Sequence, residues 1–206
     1  SSFSPGMIEN DPFGRDFLIK VDSQDSRIKR SRLKKIQSVL QVALPQLKEL
    51  SIERDSRGQP HLVGLYEHWR PNAGKQTEAQ FSDGTLRLFG LLWTLFEGDG
   101  LLLLEEPELS LHTEVVRHIP RMIERITRER KVKRQYFIST HSESMLNDKS
   151  IDASEVIWFE PSSEGTQIRS PINNEDDLRL LQAGLTVADV ILPKTAPKNI
   201  EQLGLF

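Results

Sequence analysis

The feature that most constrains the fold is the segment LLLLEEPELSLH, residues 101–112. Its four consecutive leucines predict a buried strand covered on both faces, as in a parallel sheet. The strand ends in two adjacent carboxylates, Glu105 and Glu106. A second apolar run, FISTHS at 137–142, ends in a polar turn that carries His141. Functional groups in α/β sheets collect where strands end, which raises the question of whether these two ends lie side by side.

Strands alternate with helical patterns along the chain. This alternation predicts an α/β fold, with a mostly parallel sheet flanked by helices and a small hairpin region. The first half is predicted to contain an amphipathic helix over 26–50 that Pro45 bends or ends, a hairpin around 56–58, a polar segment over 70–80 and a buried helix from Ser82 and Asp83 to Gly98. The second half is predicted to contain a charged helix over 113–130 and a short helix after 142. A terminal hairpin from EVIWFEP (155–161) and GTQIRSP (165–171) and a last helix over 175–191 complete the prediction.

Composition excludes several classes of site. The 27 Lys and Arg against 30 Asp and Glu give a formal net charge of −3, so the bulk charge predicts neither a nucleic-acid nor an acidic partner. The absence of cysteine excludes disulfides, thiolate zinc sites and thiol nucleophiles, and it suits the cytoplasm. The most apolar stretch, 86–104, is interrupted by charged residues and glycines at 97–100, so no membrane span is predicted.

Three motifs in order carry a resemblance to a known family: FSDGT (81–85), LLLLEEPELSLH and FISTHS. They resemble the signature, the Walker B motif with its D-loop, and the switch histidine of an ABC-type ATPase head. The soluble branch of RecF, SMC and OLD-like AAA-family ATPases is the most similar. The resemblance covers about residues 80–160 and implies that the chain is a single C-terminal portion of such a domain, with a loop-like lead (1–25), a helix and hairpin (26–80), the ATPase motifs (81–160) and a terminal hairpin, helix and tail (161–206).

The resemblance assigns the signature motif to Ser82, Asp83 and Gly84. In the family, the serine and glycine contact the γ-phosphate of ATP held by the opposite subunit. A hydroxyl, a bare backbone N–H and a helix N-terminus together suit an anion, which agrees with that role. Asp83 stands where transporters carry glycine, and we expect its carboxylate to point away from the phosphate.

The remaining assignments come from the two strand ends. The resemblance implies that Glu105 holds Mg²⁺ through water and that Glu106 is the general base that polarises the attacking water. Residues 109–112 occupy the D-loop, in which Ser110 is assigned to the nucleotide site. His141 corresponds to the switch histidine, which hydrogen-bonds the γ-phosphate, so the resemblance implies that its strand ends next to the strand that carries Glu106. Taken singly, each motif has a purely structural interpretation: a capped helix, a strand end and a solvated turn residue.

The phosphate-cradling Walker A motif, GxxxxGK followed by Ser or Thr, is missing from the sequence. The segment NAGKQT at 72–77 contains Gly74 and Lys75, but Gln76 follows them and the segment lies in a predicted polar loop. We therefore expect a Walker A lobe upstream of Ser1 or in another chain. The 206 residues alone should bind ATP poorly and hydrolyse it hardly at all.

The resemblance also implies partners. It predicts a head-to-tail homodimer with two ATPs in the interface, acting in DNA repair, DNA handling or anti-phage defence, with a nuclease or other effector elsewhere. DNA could contact the basic cluster 27–35, whereas the cluster at 128–134 is more simply a solvated helix end. Two alternatives stay open. One is a non-catalytic nucleotide-sensing or dimerisation module; the other is a metal-dependent nuclease using Glu105 and Glu106, which is disfavoured because adjacent residues at a strand end splay apart.

Overall fold

The computed structural model describes residues 15–67, 74–129 and 133–196. They divide between Phe96 and Glu97 into two compact units. Each unit contains helices and a small sheet or sheets, so the α/β class is confirmed. The first unit contains α1 (Arg15–Asp22), α2 (Ser26–Ala43), β1 (Leu47–Arg54), β2 (Pro60–Tyr66), β3 (Lys75–Thr77) and α3 (Asp83–Phe96). The second contains β4 (Leu102–Glu105), α4 (Thr113–Val116), α5 (Ile119–Glu129), β5 (Tyr136–Ser139), α6 (Glu143–Leu146), β6 (Trp158–Ser162), β7 (Gly165–Arg169), α7 (Glu175–Gln182) and α8 (Val187–Thr195).

Helix α2 begins where the sequence predicts and ends earlier. The Asp25 carboxylate accepts the backbone N–H groups of Arg27 and Ile28, which caps its first turn. The helix ends at Ala43, two residues before Pro45. The predicted continuation to Leu50 is wrong, because residues 47–54 form β1 and pair with β2 in an antiparallel sheet.

The lead of the chain is not entirely loop. Within the predicted loop of 1–25, α1 turns Leu18 and Val21 into the core, where they are 6 % and 0 % exposed. Phe17 packs edge-on against Phe89 and Trp93 of α3. Aromatic edge contacts of this kind anchor even a short helix, which explains an element that the sequence analysis missed. Residues 1–14 lie outside the described part.

The predicted polar segment, residues 70–80, contains a third strand, β3. Lys75–Thr77 pair with β2, and Gly74 comes so close to that strand that an added Cβ would lie 2.0 Å from the carbonyl oxygen of Tyr66. Lys75 forms an ion pair with Glu53 at 2.7 Å, so its ammonium group serves the sheet surface. Residues 72 and 73 of the Gly-Lys segment lie outside the described residues.

The parallel part of the second unit is the pair β4–β5, with Leu103 opposite Phe137 and Glu105 opposite Ser139. Within the described residues this pairing alone is parallel, since β1–β2, β2–β3 and β6–β7 are antiparallel. The prediction that the leucine strand is covered on both faces is wrong. Leu103 and Phe137 are 69 % and 49 % exposed, because alternate residues point to opposite faces and one face stays open.

Two predicted helices are each divided. The charged helix over 113–130 becomes α4 and α5, with a turn at Arg117 and His118; Pro120 lies in the first turn of α5, where its missing N–H costs nothing. The last helix over 175–191 becomes α7 and α8, separated at Gly184, whose φ of 101° ends α7. The terminal hairpin is confirmed as β6–β7.

A small hydrophobic core supports the segment after β5. Trp158 of β6 packs with Val187, Val190 and Ile191 of α8, and Leu146 of α6 packs against this cluster. Helix α6 thus rests on α8 immediately after the turn that carries His141. Across the described ranges, no helix is both long enough and apolar enough to cross a membrane.

Candidate functional site

The predicted neighbourhood of the two strand ends is confirmed. The parallel register sets Glu105 beside Ser139, and the backbone N–H of Glu106 donates to the carbonyl oxygen of Ser139 at 3.0 Å. Both strands therefore end at the same edge of the sheet. That edge is the carboxyl end of both strands, where α/β sheets present functional groups.

A carboxylate and an imidazole meet at this edge. His141 Nδ1 lies 2.7 Å from Glu106 Oε1. The side chains are 74 % and 34 % exposed, so water or a ligand can reach both groups. When Nδ1 carries the proton shared with Glu106, the Nε2 atom of the ring remains available to a ligand. The pair combines a proton acceptor and a group that can donate or accept a hydrogen bond within one small site.

The backbone at this site is strained. Glu106 has a φ of 41° and Ser110 a φ of 63°, both in the left-handed region that side chains other than glycine rarely adopt. The turn is held by two hydrogen bonds: Leu109 N–H donates to Glu106 O, and Leu111 N–H donates to Glu108 O, at 3.1 and 3.0 Å. Strained residues of this kind cluster at functional sites, and here one precedes the predicted D-loop and the other lies within it.

His112 closes the same turn in a role that the sequence analysis did not assign. Its Nδ1 accepts the backbone N–H of Glu114 at 3.2 Å and caps α4. The family usually carries an acid at the end of the D-loop, and a carboxylate would cap a helix in the same way. The residue type at 112 is thus explained by a local hydrogen bond.

Glu105 is exposed, and within the described residues its carboxylate makes no hydrogen bond or ion pair. Nor do those residues contain a group of three or more His, Asp or Glu side chains that could hold a metal ion by themselves. Mg²⁺ usually takes only one or two carboxylates and completes its shell with water and substrate phosphates. A single accessible carboxylate at the strand end therefore fits Mg²⁺ that is shared with a nucleotide.

The signature residues belong to the first unit. Ser82 caps α3: its Oγ accepts the backbone N–H of Thr85 at 3.2 Å. The Asp83 carboxylate accepts from Arg87 Nε at 2.9 Å along the exposed surface of α3. Gly84 is half-buried in the first turn of the helix. The structure thus brings Glu105, Glu106, Ser110 and His141 together in one unit and the signature residues together in the other.

The sequence analysis missed Glu108. This carboxylate is only 7 % exposed, and the Thr140 hydroxyl donates to its Oε1. Glu108 thus joins the turn after β4, which begins at Glu106, to the turn after β5, which contains His141. The signal in the sequence was an acid between Pro107 and Leu109. It was overlooked because Glu105 and Glu106 already provided the exposed acids expected at the end of the strand.

The two basic clusters differ in how much of their charge is free. In the second, Arg128 pairs with Glu124 at 2.6 Å, and Arg134 donates to the carbonyl oxygens of Glu97 and Gly100. These contacts agree with a structural interpretation of that cluster, in which residues 130–132 lie outside the described part. In the first cluster, Lys29 pairs with Asp22, and Arg32 and Lys35 lie over the rings of Trp93 and Phe96.

Three further cations of the first cluster lie along one stripe of α2: Arg27, Arg30 and Lys34. They are exposed, and among the described residues none of them forms an ion pair. Residues spaced by three, four and seven positions share a helix face, so these side chains project to the same side. The stripe is a local positive surface on a chain of net negative charge.

Comparison with known proteins identifies a family and a set of similar folds. The family model AAA_21, described as "AAA domain, putative AbiEii toxin, Type IV TA system", matches residues 2–147. None of the curated proteins matches the chain.

Among solved structures, the chain is similar to an SMC ATPase from a study of ATP-driven dimerisation and DNA-stimulated activation, at 13 % identity and a TM-score of 0.51, covering 82 % of this chain and 94 % of that one. It is similar to an Smc head domain with a coiled coil and joint from Pyrococcus yayanosii, at 14 % identity and a TM-score of 0.50, covering 82 % and 32 %. An SmcHead bound to the C-winged helix domain of ScpA matches at 16 % identity and a TM-score of 0.51, covering 84 % and 54 %. The chain thus spans about a third and about half of the last two proteins.

Proposed function

This chain belongs to the AAA_21 family of AAA domains and has the fold of SMC ATPase heads, and from that premise we propose that it carries the hydrolytic half of an ATP site. The observation that supports this proposal best is the contact of 2.7 Å between Glu106 and His141 at adjacent ends of two parallel strands. ATP hydrolysis needs a carboxylate and a phosphate-sensing group at one such edge.

In the proposed reaction Glu106 is the general base. Its carboxylate is one-third exposed, so a water molecule can approach it and be polarised for attack on the γ-phosphate. His141 offers Nε2 to a γ-phosphate oxygen while Nδ1 stays bonded to Glu106. A hydrogen bond from Nε2 to phosphate requires the doubly protonated ring, because a neutral ring that holds its proton at Nδ1 has only a lone pair at Nε2.

Glu105 would hold Mg²⁺ through water, and Mg²⁺ supplies neutralisation of the phosphate charge when it is bound with the nucleotide. Glu105 is a glutamate where the family usually has aspartate, and its additional methylene group extends the reach of the carboxylate. Ser110, exposed on the strained turn after β4, is proposed to face the nucleotide interface.

The site is completed by two other surfaces. The sequence contains no Walker A motif, so we assign the phosphate cradle to a lobe outside these 206 residues. The signature residues Ser82, Asp83 and Gly84 are proposed to meet the nucleotide of a second copy in a head-to-tail dimer. The free N-terminus of α3 and the Ser82 hydroxyl favour an anion, while Arg87 holds the Asp83 carboxylate on the helix surface.

DNA is the proposed macromolecular partner, and the stripe of Arg27, Arg30 and Lys34 is its proposed contact. Unpaired cations on one helix face neutralise successive phosphates and release counterions, which makes the affinity dependent on salt. A role in DNA repair, DNA handling or anti-phage defence would use such a surface. The nuclease or other effector is assigned to a separate chain or domain.

The test is ATP turnover by this chain in complex with the polypeptide that carries its phosphate loop. Glu106→Gln should reduce turnover at least about a hundredfold, as expected when a general base is lost, while the ATP-dependent dimer persists and becomes longer-lived. Glu105→Gln should instead weaken the binding of Mg²⁺ and ATP together. Glu164→Gln, in the exposed turn of the terminal hairpin, is the matched control and should leave both properties unchanged.

Each alternative function gives a different result. Turnover that is unaffected by Glu106→Gln would refute the catalytic assignment, and ATP-dependent dimerisation without turnover would favour the nucleotide-sensing module. Cleavage of DNA without ATP would favour the metal-dependent nuclease. Adjacent residues at a strand end splay apart, which weighs against a shared metal site on Glu105 and Glu106.

A further inference from the structure

A buried carboxylate follows Glu106 by two positions in the sequence. Glu108 follows β4 by three positions and is only 7 % exposed. The Thr140 hydroxyl donates to its Oε1, whereas its Oε2 is buried and has no hydrogen-bond partner among the described residues. Burying a carboxylate with one oxygen unpaired is unfavourable, so its presence calls for a function that compensates for the cost.

The Thr140 hydroxyl has a second partner. Its Oγ1 accepts the backbone N–H of Ser142 at 3.0 Å, which closes a small turn around the intervening His141. A carboxylate can only accept, so the single hydroxyl proton of Thr140 must point at Glu108 and leave its lone pairs for Ser142. Glu108 therefore sets the direction of the Thr140 O–H bond, whereas the Ser142 N–H can only donate to the Thr140 oxygen.

The turn is fixed on its other side by α6. The Ser142 hydroxyl accepts the backbone N–H of Met145 at 3.4 Å, and Met145 is buried. His141 thus sits between Thr140, tied to Glu108, and Ser142, which begins a helix anchored in the core. The backbone of the histidine has little freedom as long as both ties are present.

The hydrogen bond between Glu106 and His141 cannot by itself hold the imidazole in one position. Both side chains are accessible to water, and exposed ion pairs contribute little to holding a geometry. The link between Glu108 and Thr140 joins the same two turns and is partly buried, so water competes with it less. Its lower exposure makes it the better support of the geometry.

We propose that Glu108 is a positioning residue, which acts through the Thr140 hydroxyl to hold the His141 imidazole against Glu106. The catalytic meaning of this arrangement rests on the proposed ATPase function. The arrangement itself is a property of this chain without nucleotide. Movement of the predicted D-loop would reach the histidine through this link, because Glu108 belongs to the turn that contains Ser110.

The experiment measures coupling between Glu106 and His141 by NMR of ¹⁵N-labelled histidine in the chain without nucleotide. The chain contains five histidines, and a His141→Gln variant assigns the signal. Glu106→Gln should shift the ring-nitrogen resonances of His141 in the otherwise unchanged chain. In a Thr140→Val background, which keeps the shape and removes the hydroxyl, that response should be lost. Thr140→Ser, which restores a hydroxyl, should restore the response, and Glu108→Met should abolish it as Thr140→Val does.

A response to Glu106→Gln that persists in the Thr140→Val chain would overturn the proposal. Loss of the response in both Thr140→Val and Thr140→Ser would also overturn it, because the hydroxyl that Thr140→Ser restores would then not be sufficient to hold the histidine. The Thr140 pair decides the question even if Glu108→Met does not fold. Because no nucleotide is used, a persistent response refutes the positioning role alone, whereas absence of ATP turnover in the completed complex refutes the proposed function alone.

Discussion

The ion pair between Lys194 and Asp177 allows a sharp test of how the second unit is held together. Asp177 is only 2 % exposed, and its Oδ1 accepts from Lys194 Nζ. Its Oδ2 has no partner among the described residues, so Lys194 is the main compensation for a buried charge. Lys194 also lies 5.3 Å from the ring centroid of Trp158, in the core that supports α6. Replacing Lys194 by methionine keeps the length of the side chain and removes both electrostatic contacts.

Breaking a fully buried ion pair from one side costs about 3 to 5 kcal/mol, because the other charge is left uncompensated. The Lys194 side chain is 35 % exposed, so water replaces part of its effect. We therefore expect Lys194→Met to lower the free energy of unfolding by about 2 to 3 kcal/mol. If the chain unfolds cooperatively, this corresponds to a decrease in Tm of about 4 to 12 °C.

Urea unfolding followed by circular dichroism measures the change. The double variant Asp177→Leu with Lys194→Met removes both charges and should lie closer to the wild type than Lys194→Met alone. Lys149→Met, at an exposed lysine, is the matched control and should stay within about 0.5 kcal/mol of the wild type. A double variant as unstable as the single one would show that packing, and not the buried charge, explains the loss.

Three other predictions concern the first unit. The hydrogen bond that His61 Nδ1 donates to the Glu78 carboxylate raises the pKa of His61 above 6.5, so its stabilising contribution is complete below about pH 6.5 and is lost as the pH rises through the raised value. Thermal unfolding in the wild type and in His61→Gln should show this loss in the wild type only. Gly74→Ala should destabilise the chain by about 2 kcal/mol or more in urea unfolding, since its Cβ would meet the Tyr66 carbonyl oxygen at 2.0 Å. Ser82→Ala should cost about 1 kcal/mol through the lost helix cap, whereas Ser82→Asp should keep that stability and reduce ATP-dependent dimerisation.

The outcomes that contradict these predictions are distinct. Equal pH dependence in the wild type and in His61→Gln would show that the Glu78 contact does not stabilise the folded state. A Gly74→Ala chain as stable as the wild type would mean that the approach of β3 to β2 can relax at no cost. Unchanged dimerisation in Ser82→Asp would leave Ser82 with a capping role only.

The strand ends could be predicted because the rule behind them is topological. A leucine run and an FIS run that both stop at polar turns belong to parallel strands, and such strands end at one edge. The contact of Glu106 with His141 follows from that adjacency. The end of α2 near Pro45 was equally accessible, since proline has no N–H for a helix to use. The roles of these residues in hydrolysis stay predictions.

The errors arise where tertiary contacts decide. The placement of α1 depends on α3, because Phe17 packs against Phe89 and Trp93, which are remote from it in the sequence. The exposed face of Leu103 cannot be inferred from a run of leucines, because the same run would suit a strand covered on both sides. The burial of Glu108 could not be predicted for a related reason. Its partner, Thr140, is remote in sequence, and an acid close to two other acids gives no sign of burial.

The left-handed backbone of Glu106 has a consequence for how this position can vary. Its φ of 41° is a conformation in which glycine is the least strained residue. The proposed chemistry demands a carboxylate at the same place. Stability and activity therefore favour different amino acids at one position, and a chain relieved of the need to hydrolyse ATP would gain from replacing Glu106 by glycine. Loss of the carboxylate accompanied by a gain in stability would be the signature of an ATPase that has become a binding protein.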